Sequence, residues 1–408
     1  MRMLLALTAA AVITAAGYTL LPVSGDAVAA APESPPAPTP QGLVVHEWGT
    51  FTSFSGSDGV PVGFRPSNDD LPSFVYYTHD ENTKLGRLSR GGLVSMETPV
   101  IYFYADRETR VGVTVDFPRG WITEWYPFAA AAPSRAARSD KTGGQSIRWD
   151  VTLAPTDPAA FPTEKGPNHY YAARETDATP LRAEVVTRED ERNPSLRGGS
   201  VVQRERFLFY RGVGTFAPPV TVRALGGGKV KVVNASGGKA TGLVLVTVRA
   251  GQVGFRVLPD VESGGDAVAT LPDATGSVAD LGDALVKSLT AAGLYEREAR
   301  AMVKTWDSAW FKEEGSRLLY LVPRAKTDEL LPLKVEPKPT EVVRVLVGRH
   351  DFLTPEQEAA ADQNVVRARA AQAELDAAEN ALRQLGRFSP EARSLAVERT
   401  SRVVVGQK

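Results

Sequence analysis

Alternating hydrophobic and polar positions run through the first two thirds of the chain. In the segment TRVGVTVDF, residues 109–117, valines at every second position alternate with small or polar residues. A period of two directs one face of a strand to a core and the other to water. Comparable short runs, rich in valine and aromatic residues and separated by Gly, Pro, Asn or Asp, continue to residue 272. Many short strands without intervening helical periods predict antiparallel sheets, in one or two β-sandwiches, over residues 43–272.

The hydrophobic period becomes helical after residue 276. Leucines recur at helical spacing, at positions 281, 285 and 289. A second helical run follows, and its apolar face carries Trp306 and Trp310, which we expect to pack on a sheet. Valine-rich, strand-like segments then continue to residue 350. Residues 277–350 are therefore predicted to form a helical hairpin plus strands.

A long helix is predicted near the carboxyl end, over residues 354–388, with a tail at 389–408. Thr354 suits the N-cap position and Pro355 the first helical position. The apolar face of the helix is shallow and mostly alanine, and Gln372 falls where a coiled coil requires an apolar residue. The pattern favours a docked or exposed helix over a coiled coil. The predicted fold class is thus mainly β, with a C-terminal α+β segment and a long terminal helix.

The first 30 residues have the pattern of an export signal. Arg2 precedes an apolar run that extends to Leu21, and Ala27-Val28-Ala29 fits the requirement of signal peptidase. The run approaches the ~20 residues that span a bilayer, so an uncleaved N-terminal anchor is the alternative. A Pro/Ala linker follows at residues 31–42. The folded part is predicted to be secreted or periplasmic, with membrane contact only through an uncleaved N-terminal segment.

Composition narrows the classes of partner and site. The chain has 408 residues, of which 43% are hydrophobic and 23% charged, as in ordinary globular proteins. Its 47 Lys and Arg against 48 Asp and Glu leave a net charge of −1, which disfavours a nucleic-acid partner. Cysteine is absent, which excludes disulfides, thiolate nucleophiles and zinc–cysteine sites.

Common cofactor and hydrolase motifs are also absent from the sequence. It contains no Walker phosphate loop, no H-E-x-x-H helix and no G-x-S-x-G elbow. The segment GVGTFA, residues 212–217, matches G-x-G-x-x-A, but Pro218 and Pro219 follow it and lead into another strand. A dinucleotide site requires a helix at that point. We therefore predict no cofactor.

Aromatic residues beside carboxylates form the candidate ligand site. Aromatic faces stack on sugar rings, and carboxylates accept hydrogen bonds from hydroxyls or act as an acid and base pair. The candidate ligand-binding residues are His46, Trp48, Trp121, Trp125 and Tyr126, and the candidate catalytic residues are Glu47, Glu97 and Glu124. The alternative is that the tryptophans fill the core and that a buried glutamate pairs with an arginine to connect two strands.

Metal binding has weaker support. His46, His79 and His169 lie in the strand-rich region, but nothing in their spacing requires them to converge on an ion. No metal is therefore predicted.

The sequence favours an exported, non-catalytic binding protein whose partner is a glycan or an envelope protein. The alternative is a secreted glycosidase-like or esterase-like hydrolase that uses the strand carboxylates, with or without a metal, so the sequence leaves open whether the protein is an enzyme.

Overall fold

The structure is a computed structural model of the chain. It describes residues 34–38, 40–63, 70–77, 94–133, 143–158, 160–187 and 199–383. The predicted signal segment, the predicted tail and His79 lie outside these residues. From Pro36 onward, the described residues belong to one compact unit.

Seventeen strands and five helices lie within the described part of the chain. The strands are β1 Val44–Ser55, β2 Tyr76–Tyr77, β3 Val94–Tyr104, β4 Thr109–Phe117, β5 Gly120–Tyr126, β6 Gln145–Leu153, β7 Leu181–Thr187, β8 Gly199–Glu205, β9 Leu208–Gly214, β10 Val220–Gly226, β11 Lys229–Asn234, β12 Thr241–Arg249, β13 Gln252–Val257, β14 Asp266–Thr270, β15 Gly315–Leu321, β16 Leu333–Glu336 and β17 Glu341–Phe352. The helices are a 3-10 helix at His169–Arg174, α1 Val278–Ala291, α2 Glu296–Phe311, α3 Arg324–Leu330 and α4 Pro355–Arg383.

The strands form three sheets. The largest has nine strands in the order β13-β12-β15-β17-β1-β3-β9-β5-β2. A five-stranded sheet has the order β16-β4-β6-β7-β8, and a three-stranded sheet has the order β10-β11-β14. The predicted fold class is confirmed, since the protein is mainly β, with multiple antiparallel sheets and a C-terminal helical segment.

One strand pair departs from the antiparallel pattern. β1 and β17 pair in parallel along their whole length, from Val44 opposite Glu341 to Ser55 opposite Phe352. The strand order places β15 and β17 between β12 and β1 in the nine-stranded sheet. The predicted boundary near residue 276 therefore does not separate two sheets. β17 carries the apolar run Val345–Val347 and is buried along most of its length, which is typical of a strand covered on both faces.

The nine-stranded sheet has a hydrophobic core on each face. On one face, Val45 and Phe51 of β1 pack in a core shared with the two smaller sheets. On the other face, Trp48 of β1 packs in a core shared with α1 and α2. The molecule is therefore layered, with sheets on one side of the central sheet and the helical hairpin on the other.

The terminal helix α4 contacts the rest of the protein near its start. Thr354 and Gln357 cap it reciprocally, because each backbone N–H donates to the other's side chain, at 2.9 and 3.3 Å. Farther along, Val365, Val366 and Leu375 are exposed. Among the described helices, none is both long and apolar enough to cross a membrane.

Candidate functional site

The predicted aromatic site residues lie in the core rather than on a groove. Trp48 is 0% and Trp121 is 1% exposed, and Trp125 and Tyr126 are also buried. Both faces of the nine-stranded sheet are covered, so aromatic side chains on either face of β1 or β5 become core residues. None of these four residues lines the cleft described below.

His46 is also buried, and its partner is Glu298 of α2. His46 Nδ1 lies 2.7 Å from Glu298 Oε2. The Tyr104 hydroxyl and the Tyr295 backbone N–H both donate to the same carboxylate, at 2.8 Å. Burial, and then the charge of Glu298, raise the pKa of Tyr104 well above its ordinary value. This cluster connects the first turn of α2 to β1 and β3.

Two of the three candidate catalytic glutamates do not line the cleft described below. Glu47 is fully buried, and its Oε2 accepts a hydrogen bond from Arg344 Nε at 2.5 Å. Its Oε1 accepts one from the Tyr210 hydroxyl at 2.6 Å. Glu47 and Arg344 face each other across the parallel strand pair, so this is the arrangement in which a glutamate and an arginine connect two strands. Glu124 is half-buried and accepts a hydrogen bond from Thr123.

Glu97 is the candidate glutamate that lines a cleft. We call this the α2 cleft, since it lies between the second half of α2 and the ends of strands in the central sheet. It has a volume of about 270 Å³. Its lining residues are Thr52, Ser53, Phe54, Asp70, Glu97, His169, Thr305, Trp306, Ser308, Ala309, Glu313, Arg349 and Asp351.

One wall of the α2 cleft is organised by a buried arginine, Arg211 of β9. Arg211 is 1% exposed and donates to both carboxylate oxygens of Asp70, at 2.7 and 2.9 Å. Glu97 Oε2 lies 3.9 Å from Arg211 Nη2, and Glu97 Oε1 accepts a hydrogen bond from Ser95 at 2.6 Å. Burial by itself would lower the pKa of Arg211, but the charge of Asp70 and its hydrogen bonds, together with the charge of Glu97, raise it.

A second wall is formed by β17 and the end of α2. Arg349 Nε donates to Asp351 Oδ2 at 2.6 Å, and Arg349 Nη2 contacts Glu313. Asp351 also accepts a hydrogen bond from Arg317 Nε at 2.9 Å. Arg317 caps the carboxyl end of α2, because its other nitrogens donate to main-chain carbonyls, among them that of Trp310 at 2.8 Å. These pairs hold the position of α2 relative to β17.

An aromatic ring and an imidazole complete the cleft. Trp306 of α2 stacks on His169, with ring centroids 6.1 Å apart and an angle of 25° between the ring planes. His169 begins the 3-10 helix, and its Nε2 lies 3.4 Å from Arg211 Nη2 and 3.7 Å from Asp70 Oδ2. His169 therefore connects Trp306 to the wall that Arg211 organises.

The histidines considered for metal binding do not form one cluster among the described residues. His46 lies with Glu298, whereas His169 lies with Asp70 and Arg211. Within the ranges that the structure describes, no group of three or more His, Asp or Glu side chains could hold a metal ion.

Most residues of the α2 cleft were missed by sequence reasoning. Trp306 packs in the core between α2 and the central sheet, as predicted, and only its small exposed part, 7%, reaches the cleft. One signal was available, because Arg349 and Asp351 are charged residues at alternate positions of a strand and so share a face. Asp70 and Arg211 carry no comparable local signal.

Comparisons with known proteins identify no family. No known family matches the sequence, and no curated protein matches it. Among solved structures, the chain is similar to the Fcho1 Mu homology domain of Danio rerio with bound Eps15 peptide, at 9% identity and a TM-score of 0.29. That match covers 79% of this chain and 98% of the other. A likeness at this TM-score supports no argument about function.

Proposed function

We propose that the protein binds a small, hydroxyl-rich ligand, such as a sugar unit of a glycan, in the α2 cleft. The observation that carries this proposal is that Trp306, four carboxylates and the Arg349 guanidinium line one concave space. Ligand pockets usually measure about 300–1,000 Å³, and this cleft, at about 270 Å³, would take a small ligand.

The chemistry of the walls suits hydroxyl groups. The carboxylates of Asp70 and Asp351 accept hydrogen bonds, and both are held in place by arginines. Trp306 supplies an apolar edge to the lining, because it is 7% exposed and His169 and Trp310 stack against its ring. Fixed polar groups beside an apolar ring would orient a hydroxylated ligand with little loss of side-chain entropy.

The charge of the walls favours a neutral ligand. Asp70 is paired with Arg211, and Asp351 is paired with Arg317 and Arg349. Glu313 pairs with Arg349 as well. With Glu97, the walls hold four carboxylates against three guanidinium groups, so most of the charge is compensated and a ligand need not carry a charge to be bound.

Binding can be tested with sugars and a matched pair of variants. Thermal unfolding of the full chain would be measured with glucose, galactose, mannose, N-acetylglucosamine and glucuronic acid. A ligand at ~100 times its Kd stabilises the folded state by about 2.7 kcal/mol, which is a measurable shift. Ser308 is exposed and lines the cleft, so Ser308→Trp should abolish the shift. Lys304 is exposed one turn earlier on α2 and does not line the cleft, so the Lys304→Trp variant should still show the shift. Equal shifts in both variants, or no shift with any sugar, would contradict the proposal.

Hydrolysis is the second candidate, and one observation favours it. Asp70 and Glu97 both line the cleft and flank the same Arg211 guanidinium. Glycosidases use two carboxylates in different environments, of which one is the proton donor. Glu97 would be that donor, with Asp70 held on Arg211 by two hydrogen bonds. Release of nitrophenol from nitrophenyl glycosides, reduced at least about 100-fold in Glu97→Gln, would establish catalysis, whereas intact sugars after long incubation would leave binding alone.

Export to the periplasm or the exterior is proposed from the N-terminal pattern alone. An exported protein could meet glycans or envelope proteins, which we propose as its partners. Sequencing of the N-terminus of protein from the native host would show cleavage after Ala29 if the segment is a signal peptide. Retention of Met1 would instead indicate an anchor.

A further inference from the structure

Thr98 has a backbone conformation that threonine rarely adopts. Its φ is 49°, in the left-handed region, and the residue is fully buried. A β-branched residue in this region is an outlier. Such strain persists only where the surrounding structure imposes it, and it is concentrated at ligand sites and active sites.

The strain coincides with a bulge in β3. The register of β3 shifts between Met96 and Val100 against β9. Met96 and Ile101 both pack in the core between the sheets, although an odd number of positions separates them. In a regular strand, residues five positions apart lie on opposite faces. The bulge is what places both side chains on the same face.

Gly49 of β1 provides the space for this bulge. A Cβ at position 49 would lie 2.8 Å from the Pro99 Cα. The register of β1 against β3 also shifts here, between Trp48 and Thr50. The bulge is thus accommodated by both neighbouring strands.

Thr98 contacts the group that organises the cleft wall. Its Oγ1 lies 3.4 Å from Arg211 Nη2, the nitrogen that also donates to Asp70 and lies near Glu97. The residue directly before Thr98 is Glu97 itself. One residue therefore sets the direction of the Glu97 backbone and contacts the guanidinium between the two carboxylates.

We propose that Thr98 is a positioning residue of the α2 cleft. Its left-handed backbone directs the Glu97 carboxylate to the cleft, and its hydroxyl holds Arg211 between Asp70 and Glu97. This inference rests on the proposed function, since it assigns to Thr98 the alignment of groups that a ligand would contact. Glycine would adopt the same φ without strain but would hold these groups less firmly.

The test compares three variants with a matched control. Thr98→Gly removes the strain and the hydroxyl, Thr98→Val removes only the hydroxyl, and Thr98→Ser retains it. Among the described residues, Ala250 is the other non-glycine with a positive φ, at 51°, and it lies in an exposed turn between β12 and β13. Ala250→Gly therefore relieves backbone strain away from the cleft.

The first measurement needs no ligand. The ring of His169, whose Nε2 lies 3.4 Å from Arg211 Nη2, would be observed by NMR in ¹⁵N-labelled protein and assigned with His169→Gln. Release of Arg211 should shift the His169 resonances in Thr98→Gly and Thr98→Val, but not in Thr98→Ser or Ala250→Gly. If one of the first two variants does not fold, the other gives the same test. Unchanged His169 resonances in a folded variant that lacks the hydroxyl would overturn the proposal.

The second measurement uses the sugar that shifts the wild-type melting temperature most. Its affinity should fall about tenfold in Thr98→Gly and Thr98→Val and stay within about twofold in Thr98→Ser and Ala250→Gly. Wild-type affinity in Thr98→Gly would also overturn the positioning role. If no sugar binds the wild-type protein, the proposed function fails, and the NMR measurement alone decides the role of Thr98.

Discussion

At the scale of single residues, buried charges in this protein are paired between segments that are distant in sequence. Glu47 pairs with Arg344, and His46 lies against Glu298. An unpaired charge in these positions would be expensive, because burial removes its hydration. These pairs therefore make the packing of β1 against β17 and α2 specific.

Breaking the Glu47–Arg344 pair should be strongly destabilising. Both side chains are almost fully buried, so Glu47→Gln removes the buried partner of Arg344 and leaves it only the ion pair with the exposed Asp328. We expect a loss of about 3–5 kcal/mol in the free energy of unfolding, measured with urea. Glu124→Gln, at a half-buried position, is the control and should change this value by less than about 1 kcal/mol. Similar losses in the two variants would show that the pair has no special role.

His350 should make the stability depend on pH in the acidic range. Its Nδ1 lies 2.8 Å from Ser53 Oγ and its Nε2 lies 3.0 Å from Ser55 Oγ. Burial lowers the pKa of His350 from 6.5 to about 4, while the charge of Asp351 opposes this shift. The unfolded chain therefore binds the proton first, so this contribution is complete above about pH 6.5 and is lost as the pH falls toward 4.

The size of this effect follows from the pKa shift. A shift from 6.5 to about 4 corresponds to about 3 kcal/mol of unfolding free energy. Urea unfolding at several pH values should show this loss in the wild-type protein and a flatter profile in His350→Gln. Parallel profiles would contradict the assignment to His350.

At the scale of elements, local sequence signals agree with the helices and strands that form. Ser277 caps α1, with its hydroxyl accepting hydrogen bonds from the backbone of Ala279 and Asp280. β16, which lies between prolines, is the edge strand of the five-stranded sheet, as expected for a strand limited by proline. The bulge in β3 has one local signal, because Pro99 lies within an interior strand, where proline is found mainly at bulges.

Replacement of two glycines by alanine should have opposite effects on the stability of the protein. Gly282 lies within α1, where a Cβ would make an ordinary contact of 3.7 Å with Val303, so Gly282→Ala should stabilise the protein by about 0.5–1 kcal/mol. Gly49→Ala should destabilise it by about 1–3 kcal/mol, because its Cβ would collide with Pro99. Urea unfolding of the two variants checks both signs, and a stable Gly49→Ala protein would show that the bulge can move.

At the scale of the whole molecule, the parallel pair of β1 and β17 joins the two ends of the fold. β17 and β15 connect β1 to β12 in the central sheet, so the carboxyl-terminal third supplies interior strands. Parallel neighbours of this kind require covered faces, which the helical hairpin and the smaller sheets supply.

A chain that ends at residue 276 should therefore fail to fold. It would lack β15 and β17, which separate β12 from β1, and would expose two apolar sheet edges. The full chain should unfold in one cooperative calorimetric transition, whereas the shortened chain should aggregate or show no transition. A soluble shortened chain with a cooperative transition would mean that residues 43–272 form an independent domain.

The amino-acid sequence by itself determined the mainly β fold class, the helical hairpin and the start of the terminal helix. These depend on hydrophobic periods and capping residues that act over a few positions. Only the tertiary structure decided that Trp48 and Trp121 belong to the core, that Glu47 pairs with Arg344, and that Glu97 lies in a cleft. These outcomes depend on which strands become neighbours, and the α2 cleft combines residues from β1, β3, β17, α2 and the 3-10 helix. Contacts between such distant segments leave no periodic signal in the chain.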